Sequence, residues 1–390
     1  MFNVRTMNSI SDIGIDYLKN KGVNVGKKVE NPDALLIRSA DIHGMEFEEN
    51  LVAIGRAGAG YNNIPIEDCA EKGIVVFNSP GANAEAVKEQ VVMALIMASR
   101  DVIGSIEYVR SIADKGDEIP ELVEKGKNSF AGPELMDKTL GVIGLGATGA
   151  LVANIALEFG MTVYGFDPYM SVDSAWRLSR EVKKCENLDE LFGLCDYISI
   201  NVPYTESTEN MINADAFSKM KRGVRIVNES RAEVVNDDDM TEALDKGIVG
   251  KYVTDFPNSK ILKAPNVIAL PHLGACTPES EERCAEMAAK EIFDYLENGN
   301  IKNSVNLPDA QLSRLGVCRL CVIHRNVPRM LTTILDFISD RNINVEHMIN
   351  KPRGEYAYTI VDLGKKIGPK TVEEIRNHPD ILRIRVLYVD

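Results

Sequence analysis

Thr139-Leu140-Gly141-Val142-Ile143 followed by Gly144-Leu145-Gly146-Ala147-Thr148-Gly149 reads as an apolar strand running into a glycine-punctuated turn. Residues 150–159 then place apolar side chains at helical spacing and stop at Gly160. Residues 161–166 form a second apolar strand that ends in Asp167-Pro168. In a dinucleotide-binding βαβ unit each part has a task. Gly144 permits the tight turn, Gly146 lets backbone approach a pyrophosphate, and Gly149 allows close helix–strand packing. Ala147 and Thr148 lie in the turn before the helix, whose N-terminus offers free N–H groups and a dipole that favour an anion. Asp167 is placed for ribose hydroxyls; its carboxylate repels a 2′-phosphate, and no Arg or Lys follows until Arg177, which favours NAD over NADP.

Upstream of this unit, residues 34–37, 51–54 and 74–77 read as short buried strands. They end in Arg38-Ser39, in Gly55-Arg56-Ala57-Gly58 and in a loop reaching Asn83. Strands alternating with helices imply a parallel sheet whose carboxyl edge carries the ligand chemistry. A helix over 89–99 is predicted to cross into the nucleotide domain. Downstream, the strand over 197–202 ends at Pro203, that over 223–227 in Asn228-Glu229-Ser230-Arg231, that over 251–254 at Asp255, and that over 267–270 in Pro271-His272. A long helix over 279–296 returns the chain to the first domain. A linker over 303–313 then precedes strand, helix, strand, strand, helix and strand (317–323, 330–340, 345–349, 356–362, 371–377, 382–389), the ferredoxin-like order. The expected domains are 1–95 with 285–308, 96–284, and 315–390.

The chain has 390 residues, 45% hydrophobic and 26% charged, with a net charge of −14. That acidic balance argues against nucleic acid and anionic membrane as partners. No apolar run approaches the roughly 20 residues of a membrane span. The N-terminus has no basic region followed by an apolar core, so a cytoplasmic protein is expected. Seven scattered cysteines, an odd number, read as reduced thiols. Cys318-x-x-Cys321 lies in a strand-like run that points the two to opposite faces, so no metal is expected.

Hydride transfer from a secondary alcohol needs a base for the hydroxyl proton and a cation for the substrate acid. Of the five histidines, His272 sits at a strand end on the ligand edge, where an imidazole suits a base near physiological pH. Arg231 ends another strand there, and its planar fork binds a carboxylate bidentately. Arg38 and Arg56 end strands of the first domain.

The blocks Gly55–Gly60 with Asn63, Gly73–Val76 with Asn78 and Pro80, Gly144-x-Gly146-x-x-Gly149, Val227–Arg231, Thr254–Pro257, Pro271–Thr277 and Asn303–Asn306 cover nearly the whole chain. In them the sequence resembles the D-isomer-specific 2-hydroxyacid dehydrogenases, in the branch that oxidises 3-phospho-D-glycerate and carries a C-terminal ACT domain. The resemblance implies a Rossmann-type NAD domain, a flavodoxin-like substrate domain and a ferredoxin-like regulatory domain. It implies His272 as acid/base and Arg231 as the carboxylate-binding residue. Gly144, Gly146, Ala147, Thr148, Gly149, Asp167, Pro203, Ser230 and Asp255 are then on the NAD side, and Arg38, Ser39, Arg56, Gly58 and Asn83 on the substrate side. His324, Asn326 and Asn344 match effector positions for L-serine, and a cytoplasmic homodimer or homotetramer is implied.

Three positions depart from the family pattern. Lys260 stands where a glutamate usually pairs with the histidine, leaving Glu279 or Glu281 as alternative partners, or a mechanism that runs without one, with Lys260 near the site. Ala232 follows Arg231 where glycine is usual, and Arg329 replaces a glycine after Pro328. The rival readings are an NADH-dependent reductase of glyoxylate, hydroxypyruvate or another small 2-keto acid, and an NAD(H)-sensing interaction protein without turnover.

Overall fold

The structure is a computed structural model that describes residues 1–388, apart from the Asp173 side chain. It divides into two compact units, one of residues 84–277 and one that joins residues 1–83 to the chain from 278 onward.

In the joined unit, five parallel strands lie in the order Asn24–Gly26, Asn3–Thr6, Ala34–Ile37, Ala53–Arg56, Val75–Phe77. This is the flavodoxin-like order. Residues 34–37 and 75–77 are buried throughout, as strands covered on both faces require. The helix Pro278–Asn298 turns Ala285, Ala288, Ala289, Ile292 and Tyr295 onto that sheet and onto the helix Asp12–Asn20. The approach is close: a Cβ on Gly14 would lie 2.6 Å from the Ala285 carbonyl oxygen.

Residues 303–313, expected as a linker, are instead built into this unit. Asn306 accepts from Val76 N–H at 3.0 Å and donates to the Ile74 carbonyl at 2.9 Å, so its amide completes the sheet edge. Leu307, Ala310 and Leu312 are buried beside it.

The ferredoxin-like tail follows, with antiparallel strand order Val345–Arg353, Tyr356–Leu363, Cys318–Arg325, Ile381–Tyr388. Its last strand was expected to reach Val389, which lies outside the described residues. The helices Met330–Ser339 and Pro369–Arg376 cover one face. On the other, Cys321, Ile323, Tyr358 and Ile360 merge with the core around Tyr295 and Leu296. Cys318 and Cys321 thus lie in different cores. Arginines fasten that second face by donating to main-chain carbonyls. Arg385 reaches Tyr295 and Leu296, Arg319 reaches Asn298 and Leu312, and Arg353 reaches Ser304 and Leu307. Arg385 and Arg319 thereby satisfy the free carbonyls at a helix C-terminus, the end that favours cations.

The second unit holds seven parallel strands in the order Val267–Ala269, Val249–Thr254, Val224–Asn228, Tyr197–Ile200, Thr139–Ile143, Thr162–Phe166, Lys183–Lys184. This is the Rossmann order with one strand added. The helix expected over 89–99 begins earlier, at Ala84, and packs on the helix Ala147–Glu158. That second helix starts at Ala147 rather than 150, because the last glycine of the motif belongs to its first turn. Between residues 101 and 130 lie the helices Val102–Ser111 and Ile119–Gly126, which the strand pattern alone did not announce. Among the described residues, no helix is long and apolar enough to cross a membrane.

Candidate active site

The glycine turn has the shape its residues dictate. Gly144 has φ +85°, and a Cβ there would lie 2.7 Å from the Asn201 carbonyl oxygen. A Cβ on Gly149 would stand 1.9 Å from the Gly144 carbonyl oxygen, so helix and strand meet only because it is absent. Gly146 differs: it caps the helix with no side-chain hydrogen bond, is exposed, and has nothing within 4 Å of where a Cβ would go. The first N–H groups of the helix at Ala147 and Thr148 therefore adjoin an open approach, which fits a pyrophosphate. Asp167 lies beside the turn, accepting from Leu145 N–H and Tyr169 N–H at 2.8 Å each. Pro203 is exposed beyond the neighbouring strand.

His272 occupies a strained position, with φ +55° and an exposed side chain. A non-glycine residue in the left-handed region costs roughly 1 kcal/mol and persists where its surroundings hold it. Asp255, 2% exposed, is that hold. One of its oxygens accepts Leu273 N–H and the other Gly274 N–H, both at 2.8 Å. Phe256 packs edge-on against the imidazole, with ring centroids 5.0 Å apart. Arg231 is half-buried and donates to the Ser230 carbonyl at 2.6 Å. The Ser230 hydroxyl is buried and donates to Asn228 Oδ1. Ala232 has no positive φ, so the missing glycine costs the loop nothing.

Behind Asp255 lies a residue that the sequence reading passed over. Glu229 Oε2 accepts from Gln90 Nε2 at 2.6 Å, and its other oxygen is buried with no donor among the described residues. Burial, reinforced by the neighbouring Asp255 carboxylate, pushes the Glu229 carboxyl up to about 8. An acidic residue just before a strand-end arginine was the available signal.

Lys260 does not serve the histidine. Its ammonium pairs at 2.7 Å with exposed Asp238 on the surface of the same unit. Glu281, an alternative partner for His272, is engaged by Arg38 Nη2 at 2.5 Å. This removes the positively charged neighbour expected there.

In the joined unit, Arg56 is the last residue of its strand, and Arg38, Ser39, Gly58 and Asn83 follow the ends of that strand and its two neighbours. Arg56 lies across Gly58, where a Cβ would be 2.1 Å from its Nη1. Asn63 donates to the Ala40 carbonyl at 2.6 Å and braces the Arg38-Ser39 turn. Asn83 is half-buried after Ala82, whose carbonyl takes Arg283 Nε.

The effector residues in the tail are placed differently from expectation. His324 belongs to the strand, not to the loop after it, and is 2% exposed. Its Nδ1 meets the Arg325 carbonyl at 2.7 Å and its Nε2 the Thr359 hydroxyl at 2.9 Å, so neither nitrogen is available to a ligand. Burial holds its pKa below the usual imidazole range. Asn326 is tied to the Gly354 carbonyl and Asn344 to Glu346. Arg329 has φ +73°, which explains the glycine usual at that position. Among the described residues, no group of His, Cys, Asp and Glu could hold a metal ion.

Residues 92–274 match the model of the D-isomer specific 2-hydroxyacid dehydrogenase NAD-binding domain. D-3-phosphoglycerate dehydrogenase 2 of Saccharomyces cerevisiae is 29% identical to the chain, over 93% of the chain and 81% of that relative. D-3-phosphoglycerate dehydrogenase of Methanocaldococcus jannaschii is 31% identical, over 87% of the chain and 63% of its own length. By the first of these matches, residues 92–274 form the NAD-binding domain of the D-isomer specific 2-hydroxyacid dehydrogenases. A solved structure of NAD⁺-bound 3-phosphoglycerate dehydrogenase from Entamoeba histolytica aligns over 78% of this chain and 98% of that one, with 27% identity and a TM-score of 0.60. With this NAD-binding domain the chain uses NAD, and the glycine cradle and Asp167 fit that cofactor.

Proposed function

We infer that this dehydrogenase oxidises 3-phospho-D-glycerate to 3-phosphohydroxypyruvate with NAD, the first step of the phosphorylated route to serine. The observation that carries the reading is the strained His272 turn, clamped by buried Asp255, in a chain with this NAD-binding domain whose relatives over most of its length bear that activity in their names. We assign His272 the hydroxyl proton: its exposed imidazole is held at one orientation by the turn and by Phe256. Arg231 takes the substrate carboxylate, and Arg56 with Arg38 the phosphate. NAD, when bound, supplies the hydride acceptor. The tail is assigned as an ACT-type regulatory domain, with L-serine as the candidate effector and His324 as a core residue rather than a ligand. We further propose a cytoplasmic homo-oligomer.

The test is NADH absorbance with NAD and 3-phosphoglycerate at alkaline pH, beside unphosphorylated D-glycerate, with and without serine. Turnover of the phosphorylated acid alone, lost in Arg56→Ala, is the expected result. Turnover of small 2-keto acids with NADH, untouched by Arg56→Ala, replaces this reading with a reductase. NAD binding without turnover of any of them leaves a sensing protein.

A further inference from the structure

Glu229 stands apart from the roles assigned above. It follows the strand Val224–Asn228, at the same sheet edge as Asp255. Gln90 comes from the helix Ala84–Ser99, and the His272 turn closes the group. A Cβ on Gly274 would lie 3.3 Å from Asp255 Oδ2 and 3.8 Å from Gln90 Nε2. The other titratable neighbours are Tyr252, whose buried phenol is pushed up to about 12, and Arg231, two residues along the chain and turned to the Ser230 carbonyl. Gln90 satisfies one Glu229 oxygen, the other is buried with no donor among the described residues, and Asp255 is the neighbouring carboxyl. Two ionised carboxyls in such contact repel, whereas one proton between them makes a hydrogen bond.

We propose that Glu229 is a positioning residue for the His272 turn: its protonated carboxyl donates to Asp255, leaving Asp255 ionised to hold the Leu273 and Gly274 N–H groups. Loss of that proton to solvent places two negative charges behind the turn and loosens its grip on His272. The role in turnover rests on the dehydrogenase reading, but the shared proton does not. The rise in the Glu229 pKa to about 8 agrees with it and sets the window. The folded state holds this proton more tightly than the unfolded chain, so Glu229 costs stability as pH rises from about 4.5 towards 8, with no further loss above.

The test compares wild type, Glu229→Gln and Glu229→Ala, with Glu291→Gln as control. Glu291 is a second buried carboxyl pushed up to about 8, but it is held by Asn303 in the other unit. Glutamine keeps the donor and cannot ionise. Hydrogen exchange of residues 271–276, corrected for intrinsic rate, is read at pH 7 and pH 9 without substrate. Wild type should lose about tenfold of its protection over that interval, Glu229→Gln should keep it, and Glu229→Ala should lack it throughout. In turnover, the alkaline limb of kcat/KM for NAD should move up by a pH unit or more in Glu229→Gln and stay put in Glu291→Gln. Equal exchange in wild type and Glu229→Gln overturns the proposal, as does an unmoved limb in an active enzyme. Absence of phosphoglycerate turnover removes the functional reading alone, and the exchange result still decides the shared proton.

Discussion

Asp255 and Asp362 are both buried aspartates, 2% and 0% exposed, yet they are built in opposite ways. Asp362 lies in the tail sheet, where Arg319, itself wholly buried, grips both oxygens at 2.6 and 2.8 Å and Leu315 N–H adds a third bond. Asp255 receives two backbone N–H groups and has a second carboxyl, Glu229, at its back. The first arrangement cancels charge and fastens structure. The second leaves charge uncancelled beside a strained residue, the pattern that recurs where a group must be held for chemistry.

The contrast can be broken by variants that should separate activity from stability. His272→Asn should lower kcat about 10²- to 10⁴-fold, the usual worth of a general base, while NADH titration shows binding intact. A smaller loss would mean that the clamped turn serves something other than proton transfer. Arg319→Leu should destabilise the protein by about 3–5 kcal/mol in denaturant melts, because it strands the Asp362 carboxylate without its partner. The pH–rate profile of the surviving folded enzyme should not change; a displaced profile would tie the tail ion pair to catalysis and erase the distinction.

Two gentler variants sharpen it. Arg329→Gly should raise stability by about 1 kcal/mol in the same melts, since glycine relieves the left-handed φ of +73°. Lys260→Ala should leave the melting midpoint essentially where it is, being an exposed pair with Asp238, and should leave the pH–rate profile unchanged. A shifted profile would bring Lys260 back to the histidine.

Local signals were legible where one residue suffices. Gly144 and Gly149 announce their roles because each sits where no side chain fits. His272 and Arg231 are visible as polar residues just past apolar strands. The Glu229–Asp255 contact was not, because it joins the ends of two strands with a helix in between and no periodicity encodes it. The same holds for residues 303–313, whose polar composition reads as a linker although Asn306 serves the sheet edge with its side chain. His324 looks like a loop ligand only until the strand is seen to continue through Arg325.

The sequence by itself determined the alternation of strands and helices, the glycine cradle, the acid after the second strand and the family to which these blocks point. Those features depend on neighbours in the chain, on turn sterics and on side-chain spacing, which are local. Only the tertiary structure decided which charges meet: Lys260 with Asp238, Glu281 with Arg38, Arg319 with Asp362, and Glu229 with Asp255. Charge interactions act through space and depend on burial, and residues far apart in the chain acquire both only when the fold brings them together.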